Sequence, residues 1–379
     1  MMFVRSTLFR CVAIAAFALL PVAAVAQSRP EPVGDPKLVM TIEEYVPKST
    51  LKVPEHPVTR AKYPIIDVHN HQSLTPDPAR LAQIVKDMDA LNLYAMVNLS
   101  GRSGKELAEG VKNTKGKYPT KFIVFANLNF EGIDEPGYSE KAVAQLVEDH
   151  KNGAQGVKIF KSFGMTVMDS KGKRVPVDDP RLDPVWDKCG ELGIPVLIHT
   201  AEPATFFDPQ DKYNERWLEL KQFPDRARPP ERYPTFEQLI TEQENLFRKH
   251  PKTNFINAHL GWFGGDLVRL GKQLDRFPNV VTEIGAVIAE LGRQPRFARE
   301  WFIKYQDRVL FGKDIWQPSE YHVYFRVLET SDEYFDYYRK RHAFWKMYGL
   351  NLPDEVLKKL YYKNALRIVP GIDKKAFPK

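Results

Sequence analysis

The chain has 379 residues, 43% hydrophobic and 12% aromatic, which supports a folded globular protein large enough for one α/β domain. Its formal charge of +7 arises from 55 basic residues dispersed among 48 acidic ones. No concentrated basic tract argues for nucleic acid, whereas an anionic small molecule such as a carboxylate is compatible. Only Cys11 and Cys189 carry thiols, so stability must come from a core rather than a disulfide framework.

At the start, Arg5 and Arg10 flank an apolar stretch that ends in Ala24-Val25-Ala26. This pattern predicts a secretory signal over residues 1–26, cut before Gln27. The apolar run falls short of the ~20 residues that span a bilayer, and Pro21 interrupts it. No later segment reads as a span. The mature chain is therefore expected to be soluble and exported, in a bacterial periplasm, with Cys189 unpaired. Residues 27–62 hold Pro30, Pro32, Pro36, Pro47, Pro54 and Pro57 without sustained periodicity. They read as an extended arm over the domain, or one reaching a second copy in a homo-oligomer.

From residue 63 onward, short apolar runs alternate with amphipathic ones. Strands are expected at 65–68, 94–99, 122–127, 156–160, 195–199, 254–258, 280–284 and 309–312. Helices are expected at 78–91, 140–151, 183–192, 236–250, 266–276 and 295–305. Strands alternating with helices imply parallel pairing and right-handed crossovers. Eight such units fit a (β/α)8 TIM barrel over residues 63–370 better than an open doubly wound sheet. The sequence contains no glycine-rich phosphate loop. The spacing after the fifth strand exceeds a barrel unit of roughly 30 residues, which predicts an insertion at about 201–235 acting as a lid. Residues 320–370 read as a helical, aromatic extension packed around the barrel.

His69 and His71 lie two apart at the end of the first strand, so they project to the same face. Lys158 ends the fourth strand, His199 the fifth, His259 the sixth, and Asp314 follows the eighth. A lone histidine at a strand end usually has a structural role. Collecting this set at the catalytic face of a barrel is much harder to obtain by chance. Glu283 on the seventh strand is read either as a carboxylate orienting His259 or as the partner of a core cation. Arg102, Phe163, Phe206, Trp262 and Trp316 follow strand tips and are candidate substrate contacts at the mouth.

These segments, Ile66-Asp67-Val68-His69-Asn70-His71, Gly156-Val157-Lys158-Ile159-Phe160, Val196-Leu197-Ile198-His199-Thr200, Asn257-Ala258-His259-Leu260-Gly261 and Leu310-Phe311-Gly312-Lys313-Asp314, resemble the amidohydrolase superfamily. Within it they resemble the amidohydrolase-related branch that includes aminocarboxymuconate-semialdehyde decarboxylase. The resemblance implies that His69, His71, His199 and Asp314 hold the metal, with His259 a second ligand-type histidine or a proton-transfer group. It also implies that Lys158 faces substrate or, if carbamylated, bridges two ions; the branch favours one. Lys313 departs from the small residue expected before the aspartate, and either adds a cation to the site or points away.

Three imidazoles and a carboxylate suit Zn²⁺, with Mn²⁺ or Fe²⁺ as alternatives, and such an ion brings a bound water towards neutral pKa. Asp314 would take that water's proton while His259 polarises a carbonyl. Hydrolysis of an amide, lactone or ester is the expected reaction. Non-oxidative decarboxylation of an aromatic or enol carboxylate would use the same residues. A non-catalytic exported binding protein is the remaining alternative, and the complete ligand set argues against it.

Overall fold

The structure is a computed structural model that describes residues 34–35 and 39–378. The expected signal, and part of the expected arm, lie outside the described residues. The described residues fall into two units, one ending at Lys52 and the other starting at Val53. In the first unit a turn closes where Thr41 and Glu44 exchange side-chain-to-backbone hydrogen bonds.

In the second unit the apolar runs form parallel strands: β1 (Ile65–Asn70), β2 (Leu93–Asn98), β3 (Phe122–Val124), β4 (Ala126–Asn127), β5 (Val157–Ile159), β6 (Val196–Ile198), β7 (Phe255–Asn257), β8 (Val280–Glu283) and β9 (Val309–Leu310). β3 and β4 are halves of one stave, split at Phe125. The Phe125 N–H donates to Asn98 O on one side, and the Ala126 N–H donates to Gly156 O on the other, at 3.0 and 2.9 Å. Pairing runs β1-β2-β3 and then β4 through β9 in sequence order, all parallel. The Val68 N–H donates to Phe311 O at 2.9 Å, and Asn70 bridges to Asp314. The last stave thereby joins the first, closing a (β/α)8 barrel of the eight expected staves. β1, β5, β6, β7, β8 and β9 are buried along their length, because the barrel interior covers one face and the helical ring the other.

The ring begins with α1 (Pro78–Leu91). Asp77 accepts from the Ala79 and Arg80 N–H groups, Pro78 sits in the first turn, and left-handed Asn92 ends the helix. It coincides with the sequence expectation. α2 (Gly104–Asn113) was not expected. Gly104 and Gly110 lower its helical propensity, but a Cβ on Gly110 would lie 2.5 Å from Leu74, so close packing there decides the residue. Then follow α3 (Tyr138–Lys151), α4 (Asp183–Leu192), α5 (Trp217–Gln222), α6 (Phe236–Lys249), α7 (Leu267–Arg276), α8 (Ile288–Gly292) and α9 (Pro295–Lys304).

The insertion after β6 contains helical turns at Ala204–Phe206 and Pro224–Arg226 around α5. In the C-terminal extension, α10 (Pro318–Glu329), α11 (Asp354–Lys358) and α12 (Asn364–Ile368) are helical. Residues 330–353 between them are irregular apart from a Phe335–Met347 bridge. Their aromatic content is high, but they offer no unbroken 3.6-residue period.

The later arm residues bind the outside of this unit. His56 engages Asp332 through both its backbone N–H and Nδ1, and the Ala61 N–H donates to Leu91 O. Cys189 is buried and free, its thiol pushed up by burial.

A candidate metal centre at the barrel mouth

His69 is buried in β1, and His71 stands just beyond its end. Their Nε2 atoms lie 3.5 and 3.6 Å from Asp314 Oδ1. The approach of Asp314 is set by backbone: its N–H donates to His69 O at 2.6 Å, and it adopts a left-handed φ of 80°. The other ring nitrogens are taken. His71 Nδ1 meets Ser100 Oγ at 2.8 Å, and His69 Nδ1 meets Glu283 Oε1 at 2.9 Å. Both Nε2 atoms are thus the available ligand atoms.

His259 follows β7 with φ 57°. Its Nδ1 bonds Gly285 O at 2.7 Å, leaving Nε2 3.2 Å from His199 Nδ1. His199 Nε2 is buried without a hydrogen-bond partner. Trp262 stacks on His259 with ring centroids 4.6 Å apart.

Two clusters of potential ligands share His69: His69 with His71 and Asp314, and His69 with His259 and Glu283. The second is consumed by internal hydrogen bonds, since Glu283 Oε1 also accepts from the His259 N–H at 2.6 Å. In the first, Nε2 of both histidines faces the Asp314 carboxylate, which is partly exposed at the barrel mouth. Two neutral imidazoles and a carboxylate form a donor set for a divalent ion. The unpartnered His199 Nε2 and Lys158 Nζ are further buried polar atoms in need of a partner. The residues therefore fit a metal. His199 belongs to neither cluster as the side chains stand.

Burial, with Lys158 next in weight, pushes the His71 imidazole down to about 4 from 6.5. Burial also drives His69 and His199 well below that range. The unfolded chain therefore takes up protons near pH 6.5 that folded His71 refuses until about 4, and stability is lost as pH falls through this window. Calorimetry of metal-free protein is expected to show a melting temperature level above pH 7 and falling steadily from 6.5 to 4. Metal retention should hold while His71 stays neutral and fail as pH falls to about 4, because only neutral imidazole is a ligand.

Lys158 is buried on β5, its ammonium 5.5 Å from the Phe160 ring centre and its pKa lowered to about 8, chiefly by burial. Lys313 points away from the mouth. Its Nζ bonds Glu320 at 2.7 Å and lies over the rings of Tyr321, Tyr324 and Tyr338.

A cavity of about 170 Å³ opens above His199, His259 and Asp314, lined also by Lys161, Glu202, Phe206, Arg216, Glu219, Arg226, Trp262, Ile315, Arg339 and His342. The inserted segment supplies six of its walls (Glu202, Pro203, Phe206, Arg216, Glu219 and Arg226), so the insertion stands at the barrel mouth. Of the candidate substrate contacts, Trp262 and Phe206 face this cavity. Arg102 is exposed and outside its lining, and Trp316 packs edge-on against Tyr321. Phe163 is core, stacked on Phe130 at 4.7 Å.

Sequence reasoning missed Phe160, stacked on His71 at 5.8 Å, and the charged walls Glu202, Arg216, Glu219, Arg226, Arg339 and His342. Phe160 ends the fourth expected strand, whereas the charged walls lie on the insertion and the irregular extension, where no strand tip marks them. Glu219 holds the lid together: it accepts from Arg216 at 3.1 Å and from Arg226, and lies 3.1 Å from His342. Arg216 also binds Glu290 at 2.5 Å. Glu219→Ala is expected to raise KM about tenfold with a smaller change in kcat, because lid order serves substrate capture; steady-state kinetics would read the split.

The family model described as Amidohydrolase matches residues 132–371. No curated protein matches the chain in sequence. Among solved structures, a TIM-barrel protein of Bordetella bronchiseptica is 17% identical, with TM-score 0.47, 80% of this chain and 97% of that one covered. A 4-oxalomesaconate hydratase of Rhodopseudomonas palustris is 17% identical, with TM-score 0.48 and coverages of 81% and 95%. An amidohydrolase of Burkholderia multivorans with bound zinc is 13% identical, with TM-score 0.45 and coverages of 81% and 100%. These distant likenesses add no argument to the strand pairing and the family match. On that match, over well more than half its length, the chain belongs to the amidohydrolase family.

Proposed function

We propose that the protein is an exported, periplasmic hydrolase that uses one divalent ion, Zn²⁺ by preference, to cleave an amide, lactone or ester in a small anionic molecule. The observation carrying this reading is the convergence of His69 Nε2 and His71 Nε2 on Asp314 Oδ1 at the open end of the barrel. His199 completes the ligand set by a side-chain adjustment. A bound ion there supplies an activated water and a Lewis acid for the substrate carbonyl.

The remaining work falls to side chains. Asp314 accepts the nucleophile's proton and returns it to the leaving group. His259, its Nδ1 donating to Gly285 O, presents the lone pair of Nε2 to the cavity as a proton acceptor or second ligand nitrogen. Lys158 faces the substrate. Lys161, Arg216, Arg226 and Arg339 outnumber the cavity's Glu202, Glu219 and Asp314, which favours a carboxylate-bearing substrate and also keeps decarboxylation as the second reading.

Metal analysis of purified protein, followed by amide, lactone and ester panels with and without chelator, tests the proposal. Turnover should vanish on chelation and return with Zn²⁺. An active protein free of metal would sink it, and CO₂ release from carboxylates without hydrolysis would select the second reading.

A further inference from the structure

Glu283 is fully buried at the end of β8, where a carboxylate is costly unless its oxygens are satisfied. Its donors all belong to the metal centre. Oε1 meets His69 Nδ1 at 2.9 Å and accepts from the His259 N–H at 2.6 Å. Oε2 accepts from the Gly285 N–H at 2.5 Å, and Gly285 O in turn bonds His259 Nδ1 at 2.7 Å. One side chain thus contacts one histidine ring directly and holds the other by its own backbone and through Gly285.

The chain makes room for this carboxylate. A Cβ on Gly312 would stand 2.1 Å from Glu283 Oε2, and one on Gly285 2.7 Å from it. The close approach of the eighth stave therefore requires glycine at 312. His259 sits in a left-handed conformation, φ 57° and ψ 38°, which is unfavourable for a non-glycine residue. The hydrogen bond from its N–H to Glu283 is one of the contacts that hold it there.

We propose that Glu283 is the positioning residue of the centre: by accepting from His69 Nδ1–H and the His259 N–H, it fixes His69 with Nε2 turned to Asp314 and His259 with Nε2 turned to the cavity. This inference rests on the metal-site reading above. It adds that the ligand tautomer and the His259 loop share a single anchor. It also assigns the second ligand cluster a supporting role rather than a second ion. A carboxylate acting on a ligand's far nitrogen raises that ligand's basicity and holds its orientation.

The test compares full-length Glu283→Gln and Glu283→Ala with the parent. Zn²⁺ affinity is measured by competition with a chromophoric chelator and no substrate. Imidazole Nδ1 protons are followed in metal-free protein labelled with ¹⁵N-histidine, and assigned through His69→Asn and His259→Asn. Affinity is expected to fall about 10-fold in Glu283→Gln, which keeps a neutral acceptor, and about 100-fold in Glu283→Ala. In the parent the His69 Nδ1 proton should be slow to exchange and far downfield. It should shift in Glu283→Gln and be lost to exchange in Glu283→Ala.

Zn²⁺ affinity equal to the parent in both variants, with an unshifted His69 signal, would overturn the inference. If the alanine variant does not fold, the glutamine variant alone decides. If the parent itself retains no Zn²⁺, the metal reading fails; the Nδ1 signals in metal-free parent and Glu283→Gln still decide whether Glu283 sets the tautomer.

Discussion

Asp314→Asn is expected to lower kcat by about 10³-fold, the loss typical of removing a positioned general base, while the fold is retained. The argument is geometric. Among the described residues, Asp314 is the one carboxylate whose oxygen faces Nε2 of both His69 and His71, at 3.5 and 3.6 Å. Burial acts to raise its carboxyl pKa, but His69, His259, His71 and Lys158 more than offset this and hold it below the ordinary value. It is therefore ionised throughout the neutral range. Asparagine keeps the shape and the backbone donation to His69 O but removes both the charge and the basicity. Metal affinity should weaken as well, so kcat must be measured at saturating Zn²⁺ and against His199→Ala. Loss of activity that Zn²⁺ fully rescues would make Asp314 a ligand only, and would remove its assigned role in proton transfer.

Asp67→Ala is expected to destabilise the protein by about 4 kcal/mol, read as a lower denaturant midpoint, because several buried donors lose their acceptor at once. Asp67 is fully buried in β1. Its Oδ1 accepts from the His69 and Lys313 N–H groups at 3.0 and 3.1 Å. Its Oδ2 accepts from Asn70 Nδ2 and Tyr321 O–H at 3.0 and 2.7 Å. One carboxylate thereby ties the first stave, the segment after the last stave and α10 together at the seam where the barrel closes. Burial raises its pKa to about 6, so its charge is held at a cost that these four donors offset. Asp67→Asn retains part of the acceptor capacity and should lose about half as much. A change below 1 kcal/mol for alanine would mean that the seam is carried by other contacts.

The sequence alone determined the eight staves and several of the principal helices, because strand and helix periodicity and caps such as Asp77 are local properties. It also placed His69, His71, Lys158, His199, His259 and Asp314 at strand ends, and parallel pairing then carries every such end to one face. The spacing after the fifth strand also marked the insertion that walls the cavity.

Other features needed the closed barrel. The break at Phe125 depends on which neighbour each half-stave pairs with. The opposite fates of two lysines depend on their surroundings: Lys313 finds Glu320 and three tyrosine rings, while Lys158 Nζ is buried without a hydrogen-bond partner. Trp262 reached the site and Trp316 did not, although both follow strand tips. Left-handed turns, such as φ 61° at Trp262, redirect side chains after the strand ends in ways that spacing does not record. Most of all, Glu283 serves His69 across 214 residues of chain. A hydrogen bond between distant segments leaves no mark in local pattern; it exists only once the staves stand side by side.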